Sequence, residues 1–156
     1  MTERHVIFIT SPLEAEHAER MRNVDPGRVE VIHEPDLLPP TRYVADHNGP
    51  PDFQPTPDQR QRFNSNLRRA EILWDFPAGA YSVEDLFEAA PKLRWVQTTS
   101  SGVGQAVARM GLQDSDLLIT TARGIHAGPL AEYVFMVLLN QVKHLNLIRR
   151  GQKART

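Results

Sequence analysis

Leu93-Arg94-Trp95-Val96-Gln97-Thr98-Thr99-Ser100-Ser101-Gly102-Val103-Gly104 begins as an apolar run of strand length and ends in a turn of small and hydroxyl-bearing residues. Ala106, Val107 and Met110 then recur at helical spacing up to Gly111, so the segment reads as strand, glycine-rich turn and helix. In a doubly wound sheet such a turn lies at the carboxyl edge, where ligands bind. Unpaired backbone N–H groups and the positive end of the helix dipole suit an anion, and glycine lets a ligand approach the backbone. A tight βα connection with no ligand fits the same residues equally well.

The rhythm repeats on either side. Val6-Ile7-Phe8-Ile9 is a β-branched and aromatic run suited to a central strand buried on both faces. Val29 to Ile32, Ile72 to Trp74, Leu93 to Gln97 and Leu117 to Thr120 are further runs of strand length. Three helix starts fall between them. Ser11-Pro12-Leu13-Glu14, Thr56-Pro57-Asp58-Gln59 and Ser82-Val83-Glu84-Asp85 each place a hydroxyl ahead of an acid or amide, and the first two add a proline at the first helical position. Pro91 closes the third helix. Alternation of strand and helix predicts an α/β fold of the flavodoxin-like kind, with about five mostly parallel strands and helices on both faces, because parallel neighbours need a crossover.

Two stretches break the rhythm. Seven of the twelve prolines fall at 35, 39, 40, 50, 51, 55 and 57, which marks an insertion over about 33–57. Proline at this density removes ladder donors, so a flexible linker is expected there, with a lid or partner-binding arm as the sharper alternative. From Pro129 to Ile148 runs the longest periodic element, in which Val134 to Leu139 are apolar without interruption and cover the whole circumference of a helix. Glu132, Lys143 and His144 keep it short of a membrane span, so its burial is expected from protein, by self-association of two copies or by a second domain. After Arg149 no further element is expected. The expected division is thus a domain over 1–128 and a long helix over 129–150.

The chain has 156 residues, one domain's worth, and 18 Lys plus Arg against 19 Asp plus Glu give a formal charge of −1. That balance disfavours nucleic acid as a partner. No cysteine is present, which excludes disulfides, thiolate zinc sites and thiol nucleophiles and fits a reducing compartment. The N-terminus, Met1-Thr2-Glu3-Arg4-His5 followed by four apolar residues, is too short for the core of a signal peptide, so a cytoplasmic protein is expected.

Of the chemical signatures, several fail. Gly102-Val103-Gly104 looks like the start of a dinucleotide fingerprint, but Val107 stands where its third glycine belongs and no acid ends the next strand at Thr120-Thr121. Histidines at metal spacing, a glycine-flanked nucleophile serine and a phosphate loop are absent from the sequence. Asp46, His47 and Asp52 lie in the proline-rich stretch and read as solvated rather than as metal ligands. A response regulator would need acids just after the first strand, where Thr10 and Ser11 stand. In Thr121-Ala122-Arg123-Gly124-Ile125-His126-Ala127-Gly128-Pro129, Arg123 could pair with a carboxylate and His126 could move a proton, although a surface arginine and a backbone-tied histidine are the plainer accounts.

Taken together, the run from Leu93 to Gly104 and the run Ile119-Thr120-Thr121-Ala122-Arg123-Gly124-Ile125-His126-Ala127-Gly128-Pro129-Leu130-Ala131-Glu132 resemble the D-isomer-specific 2-hydroxyacid dehydrogenases, and within them the glyoxylate and hydroxypyruvate reductase branch. The resemblance covers roughly 70–150 well and the first strand and helix weakly. It implies that this chain is the N-terminal substrate domain of a two-domain oxidoreductase. The NAD- or NADP-binding domain, with the glycine fingerprint, the substrate-holding arginine and the acid–histidine pair, would lie elsewhere, so no catalytic residue is expected here and the chain alone should not turn over. By the same resemblance Ser101, Gly102 and Val103 would bind the substrate carboxylate through backbone N–H groups. Phe76, and less typically Trp74, would wall the pocket, while Pro129, Leu130 and Glu132 would border the nicotinamide. Thr121 replaces an Asn common at that place, and His126 is not the family's catalytic histidine.

Two functions follow as expectations. The first is the substrate domain of an NAD(P)-dependent enzyme acting on a small 2-keto or 2-hydroxy carboxylate, homodimeric through the long helix. The second is a free-standing module that binds a small carboxylate without chemistry.

Overall fold

A computed structural model describes residues 4–78 and 82–155; Met1 to Glu3, part of the stretch read for a leader, lie outside the described residues, as does Thr156. Five strands form one sheet: β1 (His5–Ile9), β2 (Val29–Ile32), β3 (Ile72–Trp74), β4 (Trp95–Gln97) and β5 (Leu118–Thr120). Their order is β2-β1-β3-β4-β5 and every pairing is parallel. This is the flavodoxin-like order. Its crossovers reverse direction between β1 and β3, which opens a crevice at the carboxyl ends of those two strands.

Register explains the core. Ile32, Phe8, Leu73, Val96 and Ile119 are successive cross-strand partners and form one apolar row. With a side-chain period of two, the whole row points to one face. There it meets Leu67 of α2 (Pro57–Arg69), Leu86 of α3 (Val83–Ala89) and Met110 of α4 (Gly104–Met110). The alternate residues Ile9 and Val31 point to the other face and pack with Leu38, Leu13 and Met21, the last from α1 (Ala15–Arg22). Helices therefore cover both faces. Strands β4 and β5 begin later than the apolar runs suggest, because Leu93 and Leu117 are buried in the core just before the ladder starts.

Helix starts follow local chemistry where the partners are local. The Thr56 hydroxyl accepts from the Gln59 backbone N–H and the Gln59 side chain accepts from the Thr56 N–H, a full capping box. Ser82 accepts from the Asp85 N–H. The expected start at Ser11 is corrected: α1 begins at Ala15 behind Glu14, and the Ser11 hydroxyl donates to Asp75 instead, at 2.8 Å.

The proline-rich stretch is folded rather than a linker. It opens on a 3-10 turn, Pro35–Leu37, pinned by Arg62 of α2, which ion-pairs with both Glu34 and Asp36. Asp46, expected in solvent, is 2% exposed. It takes a bidentate pair from Arg42 at 2.7 and 2.9 Å and accepts from the N–H groups of Arg42 and Gly49. The Arg42 guanidinium holds the Asp46 carboxyl well below the usual carboxylate range. Gly49 has φ +65°, and a Cβ there would lie 2.5 Å from Pro39 Cβ, so both the backbone and the close approach require glycine.

The chain divides into two compact units at Ala122 and Arg123. In the second, the long periodic element is two helices, α5 (Ala127–Val142) and α6 (Leu145–Lys153). One expectation changes here, since one helix through Ile148 becomes two, and the second runs on past Arg149 to Lys153. The break is His144, which adopts φ 52° and ψ 39°. Left-handed backbone interrupts the hydrogen-bond ladder, and histidine enters that region more readily than most residues. The α5 side chains stay exposed, including Phe135 at 64%. Among the described residues no helix is long and apolar enough to cross a membrane.

Candidate functional site

The carboxyl ends of β1, β3 and β4 converge on a cleft of about 410 Å³. Thr10 and Ser11 leave β1, Asp75 and Phe76 leave β3, and Thr99, Gly102 and Val103 belong to the turn after β4. His47 and Asn48 reach it from the proline-rich stretch. The cleft sits at the β1/β3 switch point, where a doubly wound sheet offers its natural binding crevice.

Asp75 organises this edge. Its Oδ2 accepts from Ser11 Oγ at 2.8 Å and from Thr99 Oγ1 at 2.7 Å, and its Oδ1 accepts from the Thr99 N–H at 2.7 Å. Its own N–H donates to the Gln97 carbonyl, and its carbonyl accepts from Thr10 Oγ1. One residue thus ties three strand ends together, in a left-handed conformation at φ 68° that aspartate tolerates better than most side chains. The carboxylate is committed to these donors. Its role is to position the β4 turn, which leaves the turn itself to meet a ligand.

The turn is arranged for that. The Ser100 carbonyl accepts from Thr98 Oγ1 and from the Ala122 N–H, which fixes the chain just before the loop. Among the described residues the backbone N–H groups of Ser101, Gly102 and Val103 have no hydrogen-bond partner. Ser101 and Gly102 are exposed and Val103 half-buried. A Cβ at Gly102 would meet nothing within 4 Å. Helix α4 is only seven residues long and Val103 provides no side-chain cap, so what the turn offers is its amides more than a helix dipole.

The sequence-derived residues are placed as follows. Gly102, Val103 and Phe76 line the cleft, whereas Ser101, though its neighbours Ser100 and Gly102 do line it, is not itself part of the lining. Trp74 faces the opposite side of the sheet, in the Ile9 and Val31 cluster. Pro129 and Leu130 fall in the first turn of α5 and Glu132 in its second, all in the second unit, where the exposed Arg123 and His126 precede the helix. Sequence reasoning missed Asp75 and Asn48, read His47 only as solvated, and weighed Thr10 only as a place where a response regulator would carry an acid. The available signal was positional: polar residues directly after β1 and β3 stand at the edge where ligands bind.

The chain's residues do not fit a dinucleotide at this edge. Val107, in the place of the third fingerprint glycine, packs against the core. The end of β5 carries Thr120, whose hydroxyl accepts from Trp95 Nε1 and donates to Gln97 Oε1, and no carboxylate is there to meet a ribose. Among the described residues no three His, Asp or Glu side chains converge to hold a metal.

No family model matches the chain, and no curated protein matches it. A solved structure does. The fold is similar to that of a D-isomer specific 2-hydroxyacid dehydrogenase. That crystal structure, from Xanthobacter autotrophicus Py2 in complex with NADPH and MES, superposes with a TM-score of 0.52 at 15% sequence identity. The match covers 99% of this chain and 41% of that one, so this chain spans less than half the length of that protein. At such identity the likeness is one of fold.

Proposed function

We propose that this chain is the substrate-binding domain of an NAD(P)-dependent oxidoreductase that acts on the CH–OH group of D-2-hydroxy acids, or reduces the matching 2-keto acids. The observation that carries the proposal is the set of three amides, Ser101 to Val103, that have no partner among the described residues, in the turn whose Gly102 and Val103 line a cleft at the sheet's switch point. Amides of this kind stabilise a carboxylate through charge-assisted hydrogen bonds, and Asp75 holds them in place. The motif resemblance and the fold likeness support the same reading.

In this account the domain captures and orients the acid, and Phe76 excludes water from one side of the bound ligand. The nicotinamide would supply the hydride when bound, and the proton-transferring pair would be residues other than these. Pro129, Leu130 and Glu132 would border the nicotinamide when it is bound. Exposed Val134, Phe135, Leu138 and Leu139 on α5 would be covered by the same helix of a second copy, giving a homodimer. A crystal soaked with oxalate tests the central point. Density on the Ser101 to Val103 amides is expected, and a cleft that stays empty of oxalate at saturating concentration would refute it.

A further inference from the structure

A second cavity, of about 500 Å³, lies next to the cleft, and the proline-rich stretch builds much of its wall. Its interior is apolar. Leu37, Leu38, Leu67 and Leu86 line it and are each buried to 95% or more. Phe53 and Phe63 add aromatic surface, and Phe63 is locked edge-on against Phe8 with ring centroids 5.0 Å apart. Of the polar residues it touches, Asn48, Arg60, Asn64 and Asp85 are exposed and so stand at its mouth, while Thr10 is buried with its hydroxyl donated to the Trp74 and Asp75 carbonyls.

Such a space would ordinarily be closed by side chains settling into it. Here Pro39, Pro50 and Pro55 stand in the wall, and each fixes its own φ. The arch is held further by the Gly49 contact with Pro39 and by the Asp46 cluster. Rigid walls around an apolar volume are what a small-molecule site needs. The cavity adjoins the cleft, with Thr10, Pro39, Asn48 and Ala78 lining both.

We infer that the cavity receives the side chain of the acid bound at the cleft, and that the ligand is a 2-keto or 2-hydroxy monocarboxylate with a large apolar side chain, aromatic in the best case. This rests on the carboxylate reading of the Ser101 to Val103 turn. It departs from a two- or three-carbon substrate, which would leave the cavity unfilled. The carboxylate stays at the amides, the C2 oxygen remains in the cleft, and the side chain passes Thr10 and Pro39 into the space before Phe53 and Phe63.

Three matched probes test this on the full chain labelled with 15N and with 13C at methyl groups and aromatic rings: D-lactate, D-3-phenyllactate, and 3-phenyl-1,2-propanediol, which lacks the carboxylate. The expected result is that both acids shift the Gly102 and Val103 amides, while phenyllactate binds at least about tenfold more tightly and also shifts Leu38 methyl and Phe53 ring signals. Phe53→Ala should then weaken phenyllactate several-fold and leave lactate unchanged. If lactate moves the amides and phenyllactate binds no better, the side-chain pocket is wrong and the carboxylate site stands. If neither acid moves the amides, the carboxylate site itself fails and the inference falls with it. If phenyllactate and the diol shift Phe53 equally while the amides stay silent, the cavity is unconnected to acid binding and the inference is overturned.

Discussion

Replacing Asp75 separates two contributions that meet in one residue. Its carboxylate accepts three hydrogen bonds, from Ser11 Oγ, Thr99 N–H and Thr99 Oγ1. At about 1.5 kcal/mol for each bond to a charged acceptor the sum is about 4.5 kcal/mol, and water reaching a half-buried site reduces it to about 2 kcal/mol. The backbone contribution is separate. At φ 68° an alanine is strained by about 1 kcal/mol relative to glycine. Asp75→Gly should therefore destabilise by about 2 kcal/mol and Asp75→Ala by about 3 kcal/mol. Asp75→Asn should cost less than about 1 kcal/mol, because the amide oxygen still accepts from the Thr99 N–H and both hydroxyls can turn to accept from the NH2 group. Urea unfolding followed by the fluorescence of Trp74, the preceding residue, reads all three. Were Asp75→Gly within about 0.5 kcal/mol of the parent, or Asp75→Asn as costly as Asp75→Ala, the hub assigned to this carboxylate would be refuted.

Gly49→Ala combines a left-handed backbone with a Cβ 2.5 Å from a proline ring, and should lose about 3 kcal/mol in the same assay. A neutral result would mean that the proline-rich arch is not packed as described. Gly102→Ala should leave stability unchanged or raise it by about 0.5 kcal/mol, since neither φ nor any neighbour opposes a Cβ. The same change should weaken carboxylate binding about tenfold by filling the approach to the amides; equal affinity in calorimetry would speak against that approach. His33 is held below its ordinary value of 6.5, first by burial of its ring and then by the Arg22 charge. The unfolded chain then binds this proton more readily than the folded one, so stability should fall as pH drops below 6.5 and level off beneath the folded value. His33→Gln should flatten that limb of a urea-midpoint profile, and an unchanged slope would assign it to other groups.

Much of the sheet could be read from the chain because its signals are local. Val6 to Ile9 and Val29 to Ile32 are strand-length runs with partners on both faces, and Thr56 and Ser82 cap helices through residues three positions away. Ser11 misled because its hydroxyl answers to Asp75, 64 positions on, and no local pattern carries that partnership. The proline-rich stretch misled in the same way. Its order depends on Arg62 of α2 reaching back to Glu34 and Asp36, and on Gly49 meeting Pro39. The break between α5 and α6 has neither glycine nor proline to announce it, only His144 in a conformation its side chain tolerates. For the site, Gly102, Val103 and Phe76 were legible as one motif near a strand end. Thr10, Asp75, His47 and Asn48 join them only once the strand order is known.

A two-dimensional amide spectrum of the 15N-labelled chain, titrated with D-lactate at constant ionic strength, addresses the carboxylate cradle most directly. Saturable shifts confined to Ser101, Gly102, Val103 and their neighbours in the cleft, lost in Gly102→Ala, are the predicted result. Loop amides that move no more than those of Gly151, remote in sequence on α6, or that respond equally to chloride, would contradict it.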